Sequence, residues 1–236
     1  MEAAMKKILV ILISTALCAL VSPAQEVGTG ADMSSFSLQL SYEHLSRDFN
    51  LSGLKEDIGR NLFKATVGVR PDRDLRLFAF VGSSNFPNSF VPDRRHFNFG
   101  GGLKYALMRG EIDVADENGR HLNIQGAVTI DLQVSRLQSS DNGSYENFGL
   151  TEYQGALDFG CKIMSFAGYL GFKFSKISGS FTQLMGREVD IDGNGLFSLI
   201  LGFNYHIGKR LALVSEFSFF TESSWAFGLR WDLGRN

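Results

Sequence analysis

The chain has 236 residues, with 26 Gly, 21 Phe and only 4 Pro, a formal net charge of −2 and a mean hydropathy of −0.01. Such a composition tilts toward strands and turns, and its Lys and Arg are scattered, so it offers no basic patch for nucleic acid. It leaves open both a water-soluble protein and a membrane barrel, because a barrel dilutes its apolar face with a polar one.

Residues 1–24 read as a secretory signal peptide: Lys6 and Lys7 precede an apolar run from Ile8 to Val21, and Ser22-Pro23-Ala24 supplies small residues for cleavage. The run is too short to be a spanning helix. Leu17 stands where a lipobox before Cys18 wants Gly or Ala, so acylation is not expected. The exported part, 25–236, keeps only Cys161 and can form no internal disulfide, so its stability must come from closed hydrogen bonding.

Ten segments of this part read as strands, and all but one alternate large apolar with small or polar side chains, the period of a strand that shows different faces to different surroundings. Residues 34–43 place Phe36, Leu38, Leu40 and Tyr42 opposite Ser37, Gln39, Ser41 and Glu43, and 61–70 place Phe63, Ala65, Val67 and Val69 opposite Lys64, Thr66 and Arg70. The Pro71–Asp74 turn leads into 75–82, which is apolar on both faces. Residues 97–107 set Phe97, Phe99, Leu103, Tyr105 and Leu107 against Asn98 and Lys104. Asn118-Gly119 signals a tight turn before the 122–135 alternation, and Tyr153 to Ile163 oppose Glu152, Gln154, Asp158 and Lys162. Stripes follow at Leu170, Phe172 and Phe174, at Phe197 to Tyr205, and at Leu211, Leu213, Phe217 and Phe219. The last segment puts Trp225, Phe227, Leu229, Trp231 and Leu233 on one face and Arg230 and Asp232 on the other.

Links at 71–74, 164–166 and 206–209 are short, and those at 44–60, 83–96, 136–150 and 178–194 are long and polar. This segregation belongs to outer-membrane barrels, with tight periplasmic turns and longer outward loops. The long inner link 108–121 and the short outer link at 221–224 depart from it. The expectation is one all-β domain: a closed antiparallel up-and-down transmembrane barrel of ten strands, eight being the other count allowed. Lipid offers no hydrogen-bond partners, so such a sheet survives only without edges. The last strand should pair with both 211–220 and 34–43. Glu43, Lys64, Arg70, Lys104, Asp131, Glu152, Asp158, Lys162, Lys173, Glu216 and Arg230 should face inward, their mixed signs pointing to paired charges rather than a selective pore. A secreted or periplasmic lipocalin-like barrel is the competing reading, with its apolar face inside.

The signal, the hairpin repeat and the final Leu211–Leu233 hairpin, ending Gly228-Leu229-Arg230-Trp231-Asp232-Leu233, resemble the small outer-membrane β-barrel proteins of the OmpA and opacity-protein type. That resemblance implies a cell outer-membrane location and insertion into outer-membrane lipid by the barrel-assembly machinery. The chain departs from the pattern in running on through Gly234, Arg235 and Asn236. Fold does not imply activity.

Two patterns bear on chemistry. His44 and His96, near Asp48 and Asp93, fall at outer strand ends, where an outer-rim protease or lipid deacylase would need a positioned general base; ordinary polar rim residues are the preferred reading, and His121 and His206 fall at the inner rim. Asp190-Ile191-Asp192-Gly193-Asn194-Gly195 matches the opening of a calcium loop, but Leu201 occupies the position of the bidentate Glu, so a polar turn entering a strand is preferred over calcium binding. The sequence therefore commits to no catalytic, cofactor-binding or metal residues and no cofactor. It favours a non-enzymatic envelope or surface-interaction barrel over a narrow porin or an outer-rim enzyme, and leaves the oligomeric state open.

Overall fold

A computed structural model describes residues 35–51, 54–87, 96–115, 121–139, 148–182 and 188–233. The signal segment, Asp93 and Asn118-Gly119 lie outside these residues. Ten strands run in order: β1 (Ser35–Leu51), β2 (Leu54–Arg70), β3 (Leu75–Asn85), β4 (His96–Ala115), β5 (His121–Ser139), β6 (Phe148–Ile163), β7 (Phe166–Thr182), β8 (Glu188–Ile207), β9 (Leu211–Phe220) and β10 (Glu222–Asp232). Each pairs antiparallel with its neighbours in sequence, and β1 pairs with β10 to close the barrel. The last strand meets both expected partners, Leu229 standing opposite Leu40 on β1 and opposite Leu213 on β9.

One rim carries the start of β1, the end of β10 and the short turns. Asp72 accepts the backbone N–H groups of Asp74 and Leu75 at 2.8 Å each, folding the first of these turns. Gly208, at φ 72°, supplies the left-handed residue of the turn between β8 and β9. By the loop asymmetry of spanning barrels this is the inner rim.

Around the middle of the wall the exterior is apolar. Phe63, Val81, Phe97, Leu132, Tyr153, Phe174, Leu213 and Phe227 all stand out from it, Phe63 at 65 % exposure. On the same strands Lys104, Glu152, Asp158 and Arg230 point inward and are buried. A wall apolar outside and charged inside is stable only with lipid around it. The lipocalin-like alternative, which needs the opposite polarity, is thereby excluded.

The polarity does not hold over the whole strand length. β1, β2 and β5 to β8 continue 16 to 20 residues, whereas β9 and β10 have 10 and 11. In the outer extensions the inward positions are Ile58, Leu137, Leu150, Ile177 and Ile191, all buried, and the outward positions include exposed Arg136, Gln138, Lys176, Ser178 and Asp190. This is the ordinary soluble arrangement, and it corrects the long loops expected at 44–60, 136–150 and 178–194: within them 44–51, 54–60, 136–139, 148–150, 178–182 and 188–194 are paired strand. Above the β9–β10 turn, β1 meets β8 directly, with Asn50 opposite Asp192 and Leu51 opposite Ile191. Ten strands thus close the wall in the lipid, and a direct β1–β8 contact closes it above the short last hairpin.

Two irregularities set the phase of side chains. At Leu107 the β4–β5 register shifts, so Leu107 and Met108 both stand exposed and Ile112 follows on the outside. The expected inner link 108–121 is strand as far as Ala115, which stands opposite His121. The second shift falls where Ser175 pairs Leu196 but Ile177 pairs Gly193, so Asn194-Gly195 bulges from β8. Buried Ile191 lies on one side of this bulge and buried Ser198 and Ile200 on the other, in opposite phase. The calcium-like segment is therefore bulged strand rather than a turn or a loop folded around an ion: its glycines let β8 exchange its faces.

β3 explains its own lack of period. Phe78 and Phe80 point inward over β4, where a Cβ on Gly100 would lie 2.6 Å from the Phe80 ring and one on Gly102 2.7 Å from that of Phe78. The glycines leave room for rings to lie flat on the wall and fill the lumen.

Candidate functional site

The lumen is where this fold collects its chemistry. Its upper charge cluster forms because successive inward positions on β1, β2, β6, β7 and β10 reach the same level. Arg47 donates to Glu152 Oε1 at 2.9 Å, to Ser175 Oγ at 3.3 Å and also to Glu222. Lys173 pairs with Glu222 as well, and Ser218 Oγ donates to Glu222 Oε1 at 3.1 Å. Arg60 lies 3.8 Å from Glu152 Oε2 and 3.4 Å from Glu43 Oε1, whose other oxygen is 3.5 Å from Lys64. Each carboxylate here touches two cations or a cation and a hydroxyl, which offsets the cost of burying it.

A second cluster lies nearer the inner rim. Lys104 Nζ contacts Asp158 Oδ2 at 2.5 Å and stands 5.5 Å from the Tyr169 ring centroid, while the Tyr169 hydroxyl donates to Glu216. Tyr169 lies over the bare backbone of Gly202, where any Cβ would collide with its ring. Arg76 donates to Ser37 Oγ at 3.0 Å, and Arg230 Nε lies 3.4 Å from Asp232. Between the clusters is a cavity of about 190 Å³ lined by, among others, Lys64, Asp131, Lys173 and Glu216.

Toward its outer end the lumen is filled by a different material. Ile58, Phe86, Leu137, Leu150, Ile177 and Ile191 converge from around the wall into one buried apolar cluster. It forms a hydrophobic cap above the charges.

All the inward charges expected from the sequence line this cavity except Arg70 and Lys162, which stand toward the inner rim. Arg47, Arg60, Arg76, Tyr169 and Glu222 were not expected. Arg47, Arg60 and Glu222 fall in stretches read as loops, although the odd phase of β1 and the even phases of β2 and β10 run straight through to them. Arg76 sits in the β3 stretch that lacked a period, and Tyr169 immediately precedes the stripe that begins at Leu170.

The histidines do not form a site. His44 is on the outer face, half-buried, its Nδ1 2.6 Å from Asn61 Oδ1 and its ring beside Trp225. His96 is inside, 2 % exposed, edge-on to Phe86 at 5.1 Å. The wall separates them, and the reading of His96 as an ordinary polar rim residue is corrected: it is buried in the lumen against Phe86. His206 is half-buried near the inner rim, and the side chains of Asp48 and His121 lie outside the described residues. No group of three or more metal-ligating side chains occurs among the described residues.

No protein-family model matches the sequence, and no curated protein matches it. Among solved structures it is similar to Neisserial surface protein A, at 11 % identity over 84 % of this chain and 97 % of the other, with a TM-score of 0.40. It is also similar to the attachment invasion locus protein of Yersinia pestis (9 %, 85 % and 99 %, TM-score 0.33) and to the outer-membrane protease OmpT of Escherichia coli (12 %, 89 % and 99 %, TM-score 0.39). At such values the fold rests on the molecule's own geometry. Its closure, its apolar exterior and its charged interior make the chain a ten-stranded transmembrane β-barrel of the outer-membrane type.

Proposed function

We propose that this chain is a non-enzymatic, non-conducting barrel of the cell outer membrane, exported by its N-terminal signal and inserted by the barrel-assembly machinery through its last strand. Its role is to reinforce the envelope and present the strand extensions above the lipid to surface partners. The observation that carries this reading is the apolar cap of Ile58, Phe86, Leu137, Leu150, Ile177 and Ile191 over a lumen whose two charge clusters are built from ion pairs. An ion entering from outside would have to cross a dry layer and then displace existing ion pairs, both costly in a confined space.

Planar-bilayer recording on the purified chain tests it: no steady channel should appear, and well-resolved open levels would overturn it. A narrow porin is the second reading, favoured by the charged cavity beneath the cap. Removing the cap separates the two, since Leu137→Ser with Ile177→Ser should raise conductance from nothing if the cap is the seal. An outer-rim enzyme is disfavoured by the placement of His44 and His96 on opposite faces of the wall. Hydrolytic activity lost in a folded His44→Ala or His96→Ala variant would restore it.

A further inference from the structure

The exterior of the barrel is not uniform where the apolar belt gives way to polar residues. On β5 the last apolar exterior residue is Val134 and the next outward position is Arg136; on β7 the last is Phe174, at 59 % exposure, and the next is Lys176. β6 lies between them, with Tyr153 opposite both Val134 and Lys176, and Thr151 opposite both Arg136 and Ser178. Strand spacing and rise put the Arg136 and Lys176 backbones roughly 12 Å apart, within joint reach of one headgroup for two long side chains. Gln138 holds the guanidinium: with its amide oxygen turned toward Arg136 it accepts from Nε and Nη2 at 3.0 Å each. Nη1 of this exposed arginine is not part of that pair of contacts.

The far side of the barrel at the same level is different. There the outward residues are Ser46 on β1, Asn61 on β2, Ser83 on β3 and Ser223 on β10, beside the rings of His44 and Trp225. Among the described exterior side chains at this boundary the cations are Arg136 and Lys176, both exposed and both on the β5–β7 side; Asp190 stands above them, opposite Ser180. Lipid anchoring alone would be served by cations anywhere around the girdle. Two cations grouped over an exposed Tyr and Phe, with the described girdle residues opposite neutral, instead match a ligand carrying phosphate above an acyl chain.

We propose that the β5–β7 face binds the phosphate-bearing headgroup of an outer-leaflet lipid, Arg136 and Lys176 contacting the phosphate and Tyr153 and Phe174 the chain beneath it. The assignment rests on the outer-membrane placement above and deepens it by naming a bound lipid class. The exported chain would be reconstituted into phosphatidylcholine nanodiscs containing either a bisphosphorylated, acylated glucosamine disaccharide or its phosphate-free analogue, and retention of each lipid after washing measured by mass spectrometry. The phosphorylated form should be retained about tenfold better, a preference of the size two charge-assisted contacts give. Arg136→Gln with Lys176→Gln should abolish the preference, and Lys209→Gln, an exposed cation at the inner turn, should leave it intact. Equal retention of both lipids, a preference surviving in the double variant, or equal competition by millimolar inorganic phosphate would overturn the proposal. Heat-modifiable gel migration on the same samples keeps the readings apart. Insertion without a lipid preference overturns only this inference, whereas failure to insert overturns the membrane placement with it.

Discussion

The same strands obey opposite rules at two heights. In the belt, β7 shows Phe172 and Phe174 to the outside and Lys173 to the lumen; a few residues higher it shows Lys176 and Ser178 outside and hides Ile177. β5 does likewise, with Leu132 and Val134 outside in the belt and Leu137 buried above it. On β5 neither the strand nor its pairing with β4 and β6 changes between the two. The solvent does, and with it the direction in which burial is favourable. What each face of a strand carries thus reports the medium around it, and the change of polarity marks the lipid boundary to within a residue or two.

That contrast can be broken at several points. The largest effect should come from the charge cluster in the belt: Glu152→Gln removes the shared partner of Arg47 and Arg60 and should cost about 3 to 5 kcal/mol, measured as a shift in urea unfolding of the reconstituted barrel. In the zone above, Leu137→Ala should cost about 3 kcal/mol as an ordinary core truncation; an effect near zero would mean that the cap is not a packed core. The exterior offers the sharpest paired test. Leu201→Arg on the lipid face should cost about 2 to 4 kcal/mol near the midplane, whereas Ser178→Arg above the boundary should change stability by less than about 0.5 kcal/mol. Equal costs would erase the distinction between the zones. Smaller than any of the belt or cap losses, Gly208→Ala at the left-handed inner turn should cost about 1 kcal/mol, independent of either zone.

The belt was legible in the sequence because its rule is periodic and its apolar residues are large. Nine of the ten strands, the seam between β10 and β1 and the inward charges of the belt follow from counting by two; β3, apolar on both faces, does not. The zone above was misread because Arg47, Arg60 and Ile177 sit among polar neighbours, and a segment with polar residues outward resembles a loop when strands are recognised by an apolar exterior. The bulge at Asn194-Gly195 compounded this: a shift of phase in mid-strand looks like the end of one element. Local alternation also could not show that Glu152, Glu222 and Arg47 share one level. Their meeting depends on barrel closure and on residues 105 and 175 positions apart in the chain.

The direct contact of β1 with β8 has a mechanical consequence. With Asn50 against Asp192 and Leu51 against Ile191, the two strands form a lintel over the β9–β10 hairpin, whose tip at Thr221 lies beneath it. An outward slide of β10 along β1 by one pair of rungs would drive that tip into the lintel. The closing seam is therefore indexed from above by a physical stop as well as along its length by hydrogen bonds, and a barrel with this seam can open sideways only after its topmost rungs have parted.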